Sequence, residues 1–402
     1  MRSLHFIKTV GAGSFGTVYL AEFRSGQGFR RNVAVKVILA NRPDNEMFIS
    51  RIRDEARLLG LLQDDAILKV LDMVRIEGKD AVVMEYVEGV DLDSVLEDGS
   101  PPPPRALCEL GAAVAGALSK AHTAIHPRDQ SPLNVIHRDV KPANIMITRG
   151  GGVKLLDFGV ARAKFESRES YTGQLMLGTL NYMAPEYITT AEVSPAADIY
   201  GLGLSLWEVA SGRSFGQPKV RQTAHEERLS QRLEEIRGGH PHLVTVVEQM
   251  TRWDPRARPN AREVEQLLTQ AADQTMGKSL RSWSSQVVPR ILAARKGAPD
   301  NAGLLGKTVE IGDRSKVDLQ GGDSSLTSKL EGGLSETLSH DQDIVTSRPD
   351  GPTPQRPTSQ RPTTPNNHAL RDVIIVILKG LLIGGFMGFL AIAALVTFFL
   401  VR

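Results

Sequence analysis

The chain has 402 residues, enough for two or three units at about 150 residues per domain. Lys plus Arg number 48 against 46 Asp plus Glu, a formal net charge of +2; this excludes a histone-like surface for nucleic acid and an acidic tail, and leaves any charge argument local. The single cysteine, Cys108, excludes an intrachain disulfide and a Cys-x-x-Cys metal pair, and reads as a small buried residue on a helix.

In chain order, Met1 to Phe6 carries no long apolar run before a small-residue cleavage site, so no signal peptide is expected and the chain is expected to start in the cytosol. Leu4 to Val10 alternates loosely, and Gly11-Ala12-Gly13-Ser14-Phe15-Gly16 follows. A lone G-x-G-x-x-G is weak, but Thr17, Val18 and Tyr19 after it are strand formers, so the glycines close a hairpin instead of opening a dinucleotide-binding helix. Val33 to Ile38 predicts another strand. Met47 to Leu62 predicts a helix with Ile52, Ala56, Leu59 and Leu62 on one side. Val70 to Met73 and Asp80 to Val87 predict strands, the second apolar enough to be covered on both faces.

After Pro101 to Pro104 the pattern turns helical. Leu107 to Ala121 is Ala- and Leu-rich with Pro104 placed for a first turn, and further helices are predicted over Ala197 to Ser211, Leu229 to Ile236, Leu243 to Met250 and Ala261 to Ala272. Strands early and helices late predict an α+β protein of two lobes, a small β-rich one and a larger helical one, with a cleft between them as the default site. From Ser284 to Leu370 there is no Phe, Trp or Tyr, and six prolines fall between Pro349 and Pro365. Residues 273–370 are therefore expected to be a disordered linker. Gly380 to Val401 is 22 residues without a charge, about 33 Å as a helix, and a transmembrane helix is expected over 373–401.

His137-Arg138-Asp139-Val140-Lys141-Pro142-Ala143-Asn144, then Asp157-Phe158-Gly159, then Ala184-Pro185-Glu186 stand in one order behind the glycine loop and Val33-Ala34-Val35-Lys36. Together these motifs resemble the eukaryotic-type Ser/Thr protein kinases, over about residues 5–270, and the following membrane segment is most similar to the layout of bacterial membrane-anchored members. The resemblance implies the two-lobed protein kinase fold, Mg-ATP as phosphoryl donor (Mn²⁺ could replace Mg²⁺), and protein Ser/Thr hydroxyls as acceptors. It assigns Asp139 to orient the hydroxyl and take its proton, Lys141 to steady the γ-phosphate, and Asn144 and Asp157 to hold the metal ions. Val10, Gly11, Gly13, Gly16, Val18, Ala34, Lys36, Met84, Glu85, Val87 and Met146 would surround the nucleotide, with Met84 as gatekeeper and the Glu85 and Val87 backbone as hinge. Glu55, 19 residues past Lys36, matches the acid that pairs with that lysine; Glu46 and Asp54 compete for the role. His137 is implied to pack beneath Phe158, Asp198 to anchor the catalytic loop, and Arg258 to pair with Glu186.

His126-Pro127-Arg128-Asp129 spells a decoy of the catalytic motif, without the cation and metal ligand that should follow, inside an excess of residues between His122 and His137. It reads as a surface excursion or a docking loop. Among the hydroxyls between Phe158 and Thr179, Thr172 and then Ser170 are the expected autophosphorylation sites, their phosphate pairing with Arg138. Arg371 and Lys379 precede the apolar segment, which places the kinase domain in the cytoplasm, one pass through the cell membrane, and the C-terminus at its outer face. The Thr- and Pro-rich stretch from Thr353 to Pro365 is either a spacer or a phosphorylated docking tail. Gly380, Gly384 and Gly388 share one face of the span, where two copies could pack as a homodimer. A pseudokinase scaffold is the alternative from another class, and a small-molecule kinase of similar fold is a third. Lys36, Asp139 and Asn144 disfavour the pseudokinase, and Gly178 to Glu186, which resembles a peptide platform, disfavours the small-molecule kinase.

Overall fold

Strict alternation builds the first lobe. In the strand Arg30–Ile38 (β3), Val33, Val35 and Val37 are buried, while Ala34 and Lys36 between them stay partly accessible, so one face makes a core and the other lines a cleft. The structure, a computed structural model, describes residues 2–13, 16–38, 59–62, 64–158, 181–190, 192–295 and 297–311. Strand β3 lies between Gly16–Arg24 (β2) and Lys79–Glu85 (β5), with Arg2–Gly13 (β1) beyond β2 and Val70–Ile76 (β4) beyond β5, all antiparallel. The core face gathers Leu4, Phe6, Tyr19, Ala21, Val35, Ile76 and Val83. There Phe6 meets Tyr19 edge to face at 5.2 Å, a favoured aromatic geometry. Strand β5 ends two residues earlier than its apolar run suggests, because Tyr86 and Val87 leave the ladder to connect the lobes.

A three-stranded antiparallel sheet, Gly89–Asp91 (β6), Ile145–Thr148 (β7) and Val153–Leu155 (β8), opens the second lobe. Its helices are Leu92–Glu97 (α1), Pro104–His122 (α2), Pro185–Thr190 (α3), Pro195–Ser211 (α4), Gln222–Arg237 (α5), Pro241–Met250 (α6) and Ala261–Asp273 (α7). Pro104 occupies the first turn of α2, and Cys108 is buried on that helix without a partner sulfur. Every residue of α4 from Asp198 to Trp207 is buried, as fits a helix packed on all sides. It stops at Gly212, whose φ of 67° gives the left-handed turn and sends its N–H to the Glu208 carbonyl at 2.8 Å. Asn260 and Glu263 form a reciprocal capping box that starts α7.

The expected disordered linker from 273 is corrected over its first part. Leu280–Ala294 is a helix (α8), and Thr308–Ile311 is a strand (β9). Leu280, Trp283, Ser284, Val287, Val288 and Ile291 are buried along α8, offsets of 3, 4, 7, 8 and 11 that make one helical stripe. The Glu109 carboxylate on α2 accepts the Leu280 N–H at 2.6 Å, and the Ser284 hydroxyl donates to the Arg149 carbonyl at 3.2 Å. The chain then reaches the other lobe, where β9 pairs antiparallel with β1 from Arg2↔Ile311 to His5↔Thr308, giving the order β4-β5-β3-β2-β1-β9. Ala302, Leu304 and Ile311 join the core of that lobe. Aromatic-poor composition misleads here because a strand added to a sheet edge is held by its backbone, and its small apolar residues fill a face that the sheet already supplies. Among the described residues no helix is long and apolar enough to cross a membrane. The expected span 373–401, the rest of the linker from 312, and residues 47–58 of the expected helix lie outside the described residues.

Candidate active site

The cleft-facing positions of the sheet carry the first half of the site. The rung Gly11↔Val18↔Lys36↔Val82 runs across β1, β2, β3 and β5, and Ala34 stands two residues before Lys36 on the same face. A Cβ on Gly16 would collide with the Val37 carbonyl, whereas one on Gly11 or Gly13 would meet nothing within 4 Å. Gly16 is thus demanded by the closure of the hairpin itself. Gly11 and Gly13 instead keep open space beside the backbone, which lets a ligand approach it without meeting a Cβ. Met84 is buried at the end of β5. The Glu85 carboxylate is occupied by Lys154 at 2.6 Å and the Lys69 N–H at 2.9 Å, and its own N–H donates to the Lys69 carbonyl at 3.0 Å. Val10, Val18, Ala34, Val87 and Met146 are all half-buried, so each leaves apolar surface accessible.

The catalytic loop carries the second half. Asp198, buried at the start of α4, accepts the N–H groups of His137 at 2.8 Å and Arg138 at 2.6 Å, and bonds His122 Nε2 at 2.8 Å. Three bonds to one carboxylate hold a loop whose Arg138 has a φ of 67°, a conformation that costs a non-glycine residue about 1–3 kcal/mol. His137 donates from Nε2 to the Leu156 carbonyl at 2.7 Å, and its Nδ1 accepts the Asp139 N–H at 3.3 Å. Burial lowers its pKa and keeps the ring neutral, and it packs on Phe158 with ring centroids 4.5 Å apart. It orders the backbone around Asp139 and Phe158 without presenting a free nitrogen to the cleft.

Asp139 Oδ2 sits 2.8 Å from Lys141 Nζ and 3.1 Å from Asn144 Nδ2, which also donates to the Asp139 carbonyl at 2.7 Å. With both Nδ2 bonds turned to Asp139, Asn144 retains Oδ1 as a ligand for a cation. Asp157 meets Lys36 Nζ at 2.8 Å across 121 residues of chain, and its φ of 51° is the second left-handed residue at the site. The low-dielectric surroundings would raise the Asp157 carboxyl, but the charge and hydrogen bond of Lys36, aided by the charge of Lys141, hold it below the ordinary carboxylate range. No three His, Cys, Asp or Glu side chains converge to hold a metal among the described residues. Asp157 and Asn144 supply two hard oxygen donors, a set that suits Mg²⁺ completed by phosphate oxygens and water. The residues present therefore fit a magnesium nucleotide.

Of the residues expected at the site, Gly11, Val18 and Lys36 share one rung of the sheet with Ala34 and Met84 on the neighbouring one, Gly13 pairs with Gly16, Lys36 meets Asp157 across the lobes, Asp139, Lys141 and Asn144 are bonded together, and Met146 stands two residues beyond Asn144 in β7. Glu55, Ser170 and Thr172 lie outside the described residues. The decoy His126-Asp129 closes a surface turn, with Asp129 accepting the Ser131 N–H at 3.0 Å and Ile125 bridged to Pro132. Arg258 grips Glu186 through two bonds of 2.7 and 2.8 Å, both residues buried, and its guanidinium lies 4.8 Å from the Tyr200 ring centre. Sequence reading missed the Tyr182 hydroxyl, which donates to Glu208 at 2.5 Å between the segment before α3 and α4; neither residue carries a local signal for the other.

The chain is similar to known proteins over this region. A family model described as protein kinase domain matches residues 4–268. Similar chains include the serine/threonine-protein kinase PknH of Mycobacterium tuberculosis (strain ATCC 25618 / H37Rv), 38% identical over 209 residues, 52% of this chain and 31% of that one. The serine/threonine-protein kinase PknL of Mycobacterium bovis is 36% identical over 211 residues, 51% and 48% of the two chains. The tyrosine-protein kinase MasK of Myxococcus xanthus is 36% identical over 207 residues, 50% and 32%. The chain thus covers between a third and a half of the length of these curated relatives. A crystal structure of the Mycobacterium tuberculosis PknI kinase domain superposes with a TM-score of 0.49 at 25% identity, covering 67% of this chain and 96% of that one.

Proposed function

We propose, from the premise that the chain belongs to the protein kinase family, that it is an active Ser/Thr protein kinase that moves the γ-phosphoryl group of Mg-ATP to protein hydroxyls. The observation that carries this reading is the convergence of Asp139, Lys141, Asn144 and Asp157 within hydrogen-bonding reach of one another or of Lys36. Phosphoryl transfer depends on positioning and charge neutralisation more than on covalent help. Gly11 and Gly13 would present N–H groups to the triphosphate, Lys36 would hold its α- and β-phosphates, and Asn144 Oδ1 with Asp157 would hold the metal. Bound Mg²⁺, or Mn²⁺, supplies charge neutralisation across the phosphates. Asp139 would orient the acceptor hydroxyl and take its proton, while Lys141, bonded to Asp139 at 2.8 Å, would steady the γ-phosphate. A cation two residues after the catalytic aspartate supports Ser or Thr over Tyr as acceptor.

The apolar segment 373–401 supports a single membrane pass with the kinase on the cytoplasmic side, where ATP is, and the glycines at 380, 384 and 388 would allow two copies to associate there. Autophosphorylation is assigned to Thr172, with Ser170 second. Phosphoamino-acid analysis of the full chain incubated with radiolabelled Mg-ATP should give phosphothreonine and phosphoserine, and the Ser170→Ala, Thr172→Ala double variant should lose most of the label and most activity. Phosphotyrosine as the main product would overturn the acceptor assignment; full activity in the double variant would remove the activation sites.

A further inference from the structure

The chain does not end its structured course where the family match ends at residue 268. After α8 docks on the helical lobe, residues 297–311 cross the outer face of the sheet lobe, opposite the cleft. We infer that this segment is a built-in strap that sets the position of the glycine hairpin, with Asp300, Tyr19 and Thr9 as positioning residues for the nucleotide; the inference rests on the kinase reading above.

The strap is tied at both ends. At the helical lobe, Arg290 of α8 pairs with Asp98 and donates to the Ser100 hydroxyl at 2.6 Å, and Arg295 reaches Asp91 at 3.3 Å. Asp91 caps α1 directly after the connection between the lobes. At the sheet lobe, the Thr9 hydroxyl donates to the Ala298 carbonyl and the Tyr19 hydroxyl to the Asp300 carboxylate. The Ala302 N–H returns to the Tyr19 oxygen at 3.2 Å. Asp300 also collects the N–H groups of Gly303 at 2.9 Å, Leu304 at 3.2 Å and Leu305 at 3.2 Å, so one carboxylate both shapes the strap's turn and receives the tyrosine. The Phe6 N–H donates to the Lys307 carbonyl and the Gly306 N–H to the Phe6 carbonyl, each at 2.9 Å, leading into β9.

Register makes these contacts matter for the site. Thr9 and Tyr19 are cross-strand partners, and Tyr19 pairs onward with Val35. The next rung is Gly11, Val18 and Lys36, and beyond it Gly13 closes on Gly16. β1 also breaks register between Thr9 and Gly11, a bulge whose aim depends on what holds its flank. The strap grips that flank from the core face, where Tyr19 and Val35 are buried, while Val18 and Lys36 of the neighbouring rung stay partly accessible on the other face, where the proposed nucleotide would lie. Burial and Asp300 push the Tyr19 phenol up to about 12, so it remains the donor across the working pH range. A hairpin held from behind loses less freedom when it closes over phosphates, the general gain from preorganisation. Because the strap is continuous with α8 and with the chain that follows residue 311, the hairpin is physically connected to that downstream segment.

The test compares variants of the full chain: Asp300→Ala, Tyr19→Phe, the two combined, and Ile311→Ala, which is buried in the same core at the far end of β9 and touches none of the gripping bonds. Asp300→Ala is expected to raise the KM for ATP about tenfold, the scale of one hydrogen bond to a charged group, with kcat at saturating ATP and the KM for protein substrate within about twofold of the parent. Tyr19→Phe, which loses the shared bond but leaves the turn bonds of Asp300 in place, should shift the KM for ATP in the same direction by less, and the double variant should add little to Asp300→Ala alone. Amides in residues 10–18 should exchange faster in these variants than in Ile311→Ala, even where the melting temperatures match. A normal KM for ATP and parental hairpin exchange in Asp300→Ala, in a parent that does transfer phosphate, would overturn the strap alone. A parent that neither binds nor spends ATP would overturn the kinase reading, and the strap's role in nucleotide positioning with it.

Discussion

Asp139→Asn should lower the rate of phosphoryl transfer by about 10²–10⁴-fold, the usual contribution of a positioned proton acceptor, while leaving ATP affinity and melting temperature near those of the parent. Asparagine keeps the shape and can still accept from Lys141 and Asn144, which hold the carboxylate at 2.8 and 3.1 Å. What it loses is the charge that orients the acceptor hydroxyl and takes its proton. Steady-state kinetics with a nucleotide titration measure both halves, and a loss confined to kcat is the expected pattern. A variant that binds ATP poorly would place Asp139 in nucleotide binding instead.

The largest stability effect should come from the buried pair far from the chemistry. Glu186→Ala should cost about 3–5 kcal/mol, because it leaves the Arg258 guanidinium uncompensated inside the protein. Arg258 has its side chain fully inaccessible and donates as well to the carbonyls of Arg252 at 2.8 Å, Ala196 at 2.9 Å and Trp253 at 3.1 Å. Those bonds fix the loop before α7 against α4 and the start of α3. Arg258→Ala should destabilise similarly, and the Glu186→Ala, Arg258→Met double variant should recover part of the loss, since a neutral pair removes the stranded charge. Chemical denaturation measures all three; a double variant as unstable as the sum of the singles would show that the two act independently.

How much could be read beforehand follows from how each feature is encoded. His137 to Asn144 was legible because the loop's chemistry is local: base, cation and metal ligand stand within a few residues, and the structure ties them through short bonds. The helices α2, α4, α6 and α7 follow from apolar periodicity, with Pro104 and Asn260 marking starts. The meeting of Lys36 with Asp157, or of Arg258 with Glu186, has no signal in spacing and was reached only through resemblance. The strap was missed for two different reasons. The α8 stripe from Leu280 to Ile291 is present in the sequence, but the average over an aromatic-poor stretch hid it. The grip of Asp300 on Tyr19 joins residues 281 apart, and β9 pairs through backbone atoms that every residue has.

The most direct measurement is transfer of radiolabelled γ-phosphate from ATP to a mixed Ser/Thr protein substrate by the purified full chain, with and without a chelator that removes divalent metal. The account predicts label on the substrate that disappears on chelation and returns with added Mg²⁺. Tight nucleotide binding with no label on any protein, at any metal concentration, would contradict it and identify the chain as a scaffold of kinase fold.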